Sequence, residues 1–259
     1  MNNKKRILVT GGGKGIGEKV IRLLVSKGYE MHFTYCRSKK SADKLCSEFP
    51  NKVFAHYLNM ADPDSINTGG FSEISDWYGI IFNAGVGSAS VNNYANSPDT
   101  SEDQLDEAML KINALGPLSL YRRLKPNLIK NNHAKIIFIS SVGGGIAAFP
   151  GFRYSDGMSK AALSYLARQI ATENTDSGID VFTLCPGATE TSMFEASTLN
   201  KLSPSERAHF VQKLPKGRLI QPEEIAHWIA KLLEPESTVL HGCIIDASAG
   251  LGIRPSHMD

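Results

Sequence analysis

The chain has 259 residues, 42% hydrophobic and 21% charged, the balance of an ordinary globular protein and a length that an α/β fold can fill as one domain. Its formal net charge of +2 is too mild for a nucleic-acid binder. No apolar run approaches the roughly 18 residues that span a bilayer, and only three apolar residues follow the basic start Lys4-Lys5-Arg6, so a cytoplasmic protein without a signal peptide is expected. Cys36, Cys46, Cys185 and Cys243 are scattered without a CxxC or a His cluster, which reads as buried free thiols with no metal site.

In chain order, short β-rich apolar runs recur at Arg6 to Thr10, Met31 to Tyr35, Val53 to Leu58, Gly79 to Phe82, Lys135 to Ser140, Ile179 to Leu184 and Cys243 to Asp246. Most are separated by longer amphipathic stretches, which predicts a parallel sheet of about seven strands with helices on both faces. Ile16, Val20, Leu23 and Leu24 share one helical face and Gly28 follows as a stop, closing a first βαβ unit. Glu102 to Lys130 reads as a long helical region bent at Pro117. Asn92 to Ser101 reads as a polar loop, and 192–217 as an irregular insert. A last helix opens at Pro222-Glu223-Glu224, favourable at a positive helix N-terminus.

The first strand runs into Thr10-Gly11-Gly12-Gly13-Lys14-Gly15-Ile16-Gly17, which opens directly onto a helix. Glycines here let the backbone approach a pyrophosphate that the helix amides bind, so a dinucleotide site is expected. An NAD site normally offers a carboxylate to the adenosine ribose near the end of the second strand. That strand ends Thr34-Tyr35-Cys36-Arg37-Ser38, with no acid. Arg37 and Lys14 are the candidates for the 2′-phosphate of NADP(H), with Ser38 and Lys39 as helpers.

The spacing TGxxxGxG resembles the short-chain dehydrogenase/reductase family, and the resemblance runs along nearly the whole chain. It implies a single-domain Rossmann fold over residues 1–259, doubly wound, with 192–217 as a substrate lid. Asn59-Met60 stands where the family contacts adenine, usually with Asp followed by an apolar residue. Asn83-Ala84-Gly85 is similar to its NAG motif, Pro186-Gly187 and Thr191 to the PGxxxT segment near the nicotinamide, and Asn113 to the helix Asn that helps hold a water chain to the active-site Lys. Ser141, in Ile139-Ser140-Ser141-Val142-Gly143, matches the Ser that orients the carbonyl, while Ser140 reads as a strand-end turn residue. Lys160, before Ala161-Ala162-Leu163, matches the Lys that binds the nicotinamide ribose and lowers the pKa of a proton-donating Tyr.

That Tyr is displaced. The family's main branch has YxxxK, four apart and on one helical face, whereas Tyr154 and Lys160 are six apart, about 240° around a regular helix. Counting back four from Lys160 reaches Asp156, and a carboxylate ionised at neutral pH has no proton to give. Two readings follow. In the favoured one, a two-residue insertion leaves Tyr154 on the loop before the helix, Asp156 or Ser155 caps that helix, and Tyr154 enters the site from a new direction. In the other, Asp156 occupies the Tyr position and Tyr154 packs elsewhere.

The resemblance to 3-oxoacyl reductase-like members implies an NADPH-dependent ketoreductase acting on a small carbonyl compound, carrier-bound or free. Arg122, Arg123, Lys125 and Lys130 are a candidate surface for an acidic carrier protein, against the plainer reading of a solvated helix face. Phe149, Pro150, Phe152, Met193, Phe194 and Phe210 are candidate pocket residues, with packing under a loop as the alternative. The rival functions are an NADPH-binding sensor or scaffold, and an enoyl reductase or dehydratase. A homodimer or homotetramer built on the Glu102 and Lys160 helices is implied, with no nucleic-acid or membrane partner.

Overall fold

Apolar residues run unbroken along the strands because both faces of the sheet are covered, and alternate residues serve opposite cores. Ile7 and Val9 of β1 (Arg6–Val9) point into one core and Leu8 into the other. The structure is a computed structural model that describes residues 5–94, 100–128 and 133–253. The remaining strands are β2 (Glu30–Tyr35), β3 (Val53–Tyr57), β4 (Trp77–Phe82), β5 (Lys135–Ile139), β6 (Asp180–Pro186) and β7 (Ile244–Ala247). They form one parallel sheet in the order β3-β2-β1-β4-β5-β6-β7.

One core is covered by α1 (Gly15–Ser26), α2 (Lys39–Glu48) and α10 (Pro222–Leu232). The other is covered by α3 (Pro63–Thr68), α4 (Glu102–Leu110), α5 (Gly116–Leu128) and α7 (Tyr154–Thr172), with Phe82 and Phe138 stacked at its centre. Between β5 and α7 lies the single turn α6 (Val142–Gly145), and after β6 come α8 (Ser192–Ser197) and α9 (Pro204–Lys213). The strand order reverses direction at β1, and the carboxyl ends of β1 and β4 at such a reversal are where open α/β sheets bind ligands.

Three expectations need correction. The irregularity in the 102–130 region is a π-helical turn over Lys111–Leu115, and Pro117 follows it as the second residue of α5. The insert carries a small core of its own: Phe194 and Phe210 pair at 6.2 Å and pack with Leu199 and Leu214, so both belong to packing rather than to a pocket wall. Of the four free cysteines only Cys185 is buried, and Cys243 is exposed. No helix among the described residues is long and apolar enough to cross a membrane.

Near the β3 edge of the sheet, His56 Nε2 and His32 Nδ1 lie 3.0 Å apart, His32 Nε2 reaches Glu30 at 3.3 Å, and Glu30 pairs with Arg6 at 2.8 Å. The two imidazoles are packed against Phe54, Phe71 and Trp77, and burial pushes both toward the neutral form, His56 to a pKa of about 4.

Candidate active site

The glycine-rich turn is held from β4. Asn83 Nδ2 donates to the carbonyls of Thr10 (3.0 Å) and Gly11 (3.1 Å), while Thr10 Oγ1 accepts from the N–H groups of Asn83 and Ala84. A Cβ on Gly17 would sit 2.6 Å from the Gly11 carbonyl, so no other residue lets α1 start this close to the loop. Lys14, the residue before α1, makes no side-chain cap, which leaves the amides of the first turn free for an anion. Ile16 packs partly into the core behind the loop, and Ser38 Oγ lies over Gly13.

Arg37 and Lys14 are both exposed and in no ion pair among the described residues, whereas Lys39 is engaged by Asp43 at 3.0 Å on its own helix. Asn59 is half-buried and its Oδ1 accepts from the Ala61 N–H, while Met60 packs into the core under α5. Beyond β5, Pro186 ends β6, Gly187 lies against Ser248, and Thr191 caps α8 through the Phe194 N–H. A Cβ on Gly15 would lie 3.5 Å from Thr191 Cγ2, so the start of α8 faces the glycine loop.

Asn113 sits in the π turn and ties three elements together. Its Oδ1 accepts from the Val86 N–H, and its Nδ2 donates to the Val86 carbonyl (both 2.8 Å) and to Ser159 Oγ on α7 (3.0 Å). A Cβ on Gly85 would lie 3.1 Å from Asn113 Oδ1 and 3.4 Å from Lys160 Nζ, so the two side chains converge on the end of β4. Lys160 Nζ also reaches the Ile139 carbonyl at 3.4 Å. Burial lowers the Lys160 pKa, opposed by the charge of Asp156 and by Cys185. Ser140 anchors the helix, donating to the Lys160 carbonyl and accepting from Ser164. Ser141 is half-buried; its Oγ accepts from the Gly143 N–H at 3.1 Å, which leaves the hydroxyl proton free to donate.

The structure does not support the insertion reading of Tyr154. Helix α7 begins at Tyr154 itself, is uncapped by any side chain, and runs regularly through Lys160. Its start is clamped on both sides of the tyrosine: Arg153 pairs with Asp106 (2.8 Å) and Glu102 (2.5 Å), and Ser155 donates to Asp106 at 2.5 Å. With Arg153 and the buried Ser155 turned toward α4, Tyr154 is turned outward and is 90% exposed. Asp156 therefore takes the position one turn before Lys160. Its Oδ2 accepts from both the N–H and the hydroxyl of Ser88, at 2.8 Å each, which latches the loop after β4 onto α7. Sequence reasoning missed Ser88 altogether; its only signal was its place three residues after Gly85. Met193 covers this latch, within 3.5 Å of where a Gly87 Cβ would point, and Phe149 lies over Gly143, while Phe152 is 41% exposed.

The profile of the family described as enoyl-(acyl carrier protein) reductase matches residues 11–252, almost the full span from glycine loop to last strand. The chain belongs to the short-chain dehydrogenase/reductase family. Among curated relatives of this family, a 3-oxoacyl-[acyl-carrier-protein] reductase of Thermotoga maritima is 30% identical, with 96% of this chain and 98% of that protein covered. The oxidoreductase YmfI of Bacillus subtilis is 27% identical over 95% of this chain and 98% of its own length. Among solved structures, that of BdcA in complex with NADPH superposes with a TM-score of 0.79 at 26% identity, covering 95% of this chain and 93% of that one.

Proposed function

We propose that this short-chain dehydrogenase/reductase uses NADP(H) to reduce a ketone or related carbonyl to an alcohol, with a 3-oxoacyl compound, free or carrier-bound, as the leading substrate class. One observation carries the reading: Lys160 and Asn113 converge on Gly85 at the carboxyl end of β4, with the hydroxyl of Ser141 free to donate. The uncapped amides of α1 suit a pyrophosphate, and Arg37 and Lys14 suit the 2′-phosphate. Bound NADPH would supply the hydride. Ser141 orients the carbonyl oxygen. Lys160 gives up a proton more readily than an ordinary lysine because burial disfavours its ammonium, and it serves as the proton source in place of a phenol. The relatives named for 3-oxoacyl reduction and for NADPH binding support the substrate class and the cofactor.

Tyr154, Met158 and Tyr165 fall within about 40° on the outer face of α7 and are all exposed, which supports a homodimer or homotetramer joined through this helix. Arg122 and Arg123 remain exposed for an acidic carrier, Lys125 is engaged by Glu173, and Lys130 lies outside the described residues.

The test is NADPH consumption across a panel of 3-oxoacyl thioesters, small ketones and enoyl thioesters. Turnover of a ketone that falls at least a hundredfold in Lys160→Gln is expected. NADPH binding without oxidation by any member would overturn the chemistry and leave the second reading, a cofactor-binding sensor or scaffold, which the carboxylate of Asp156 at the proton-donor position favours. Consumption with enoyl substrates alone would point to the enoyl reductase reading.

A further inference from the structure

At the carboxyl end of β2, the ring of Tyr94 lies under the guanidinium of Arg37, with the carbon centre of that group 4.0 Å from the ring centroid. Tyr94 ends a short 3₁₀ turn, Ser90–Tyr94, that follows the loop after β4, so the contact bridges the two strands flanking β1. The ring is held in turn, since it is partly buried and packs against the core on that face. Arg37 is otherwise unrestrained, exposed and in no ion pair among the described residues.

A guanidinium stacked on an aromatic face keeps its N–H edges free, and those edges form the planar fork that matches a phosphate. An unstacked arginine at an exposed strand end would have to surrender its rotamer freedom on binding, whereas this one has surrendered part of it already. We infer that Tyr94 is a positioning residue that sets NADPH over NADH preference by holding Arg37 ready for the 2′-phosphate. The inference rests on the NADP(H) reading proposed above. Tyr94 touches no phosphate itself, and its effect runs through Arg37.

The experiment is titration of the full-length protein with NADPH and NADH, followed by nucleotide fluorescence, for wild type, Tyr94→Phe, Tyr94→Leu, Arg37→Ala and the double variant Tyr94→Leu/Arg37→Ala. The readout is the ratio of the two dissociation constants, which a general loosening of the loop would leave unchanged. Tyr94→Phe keeps the ring and is expected to keep the ratio, whereas Tyr94→Leu should reduce the preference for NADPH roughly fivefold. In the Arg37→Ala background, Tyr94→Leu should have no further effect on the ratio. A preference that survives intact in Tyr94→Leu, or tighter NADPH binding by that variant, overturns the role of Tyr94 alone. Wild type that binds NADH as tightly as NADPH overturns the cofactor reading, and this inference with it.

Discussion

Tyr154 and Asp156 are two residues apart on one helix, so their side chains diverge by about 200° and only one of them can face Lys160. The clamp of Arg153 and Ser155 on α4 gives that place to Asp156. Two substitutions test this directly. Tyr154→Phe should leave turnover within about twofold of wild type, because the side chain points to the outer face of α7, away from Lys160; a large loss in kcat would return the tyrosine to the site. Asp156→Tyr should set a phenol one turn before Lys160 and raise ketone reduction roughly tenfold or more, measured as initial NADPH consumption. Asp156→Asn keeps an acceptor for Ser88 and should cost only about 1 kcal/mol of stability in urea unfolding. The sequence already contained both candidates at known spacing. What it lacked was the tertiary partner of Arg153 and Ser155, since Asp106 is nearly fifty residues upstream and nothing in the local pattern links it to the start of α7.

At the scale of elements, α6 and α7 approach so closely that a Cβ on Gly144 would collide with the Gly157 carbonyl, and Gly144 itself has φ +101. Gly144→Ala is therefore strained twice over and should cost roughly 2 kcal/mol or more. Because α6 carries the turn that orients Ser141, the same change should depress kcat even in molecules that remain folded, as read by turnover below the melting transition. The strands and the first βαβ unit were legible because periodicity and glycine placement are local signals, and β1 through β7 fall where the apolar runs lie. The π turn was not. Leu105, Met109, Ile112, Gly116, Leu120 and Leu124 keep a spacing of three or four straight through it, and Pro117, the conspicuous breaker, drew the expectation two residues past its end. The 192–217 segment was legible as an insert but not as one with its own core, since Phe194 and Phe210 read equally well as pocket or packing.

For the whole molecule, the buried His32–His56 pair makes stability depend on pH. The His56 pKa is about 4 in the folded chain against an ordinary 6.5, so between these values the unfolded chain binds the extra proton. Stability is then full above about pH 6.5 and is lost as the pH falls toward 4, by roughly 2 kcal/mol once partial solvent exposure is allowed for. Urea unfolding at a series of pH values should show this slope, and His56→Gln should flatten it. Oligomerisation is tested on the outer face of α7: Tyr165→Glu should lower the solution mass measured by light scattering, whereas a wild type that is already monomeric removes that proposal. A further consequence comes from the π turn. The rod from Glu102 to Leu128 is wound out of phase with itself, its second half rotated by about one residue, or 100°, relative to a uniform α-helix. Deleting one residue between Lys111 and Leu115 would let the rod relax into a single regular phase. Such a chain could stay helical and folded, yet Asn113 would lose its alignment with Val86 and Ser159, so one residue of length separates a molecule that merely has this fold from one whose site is assembled.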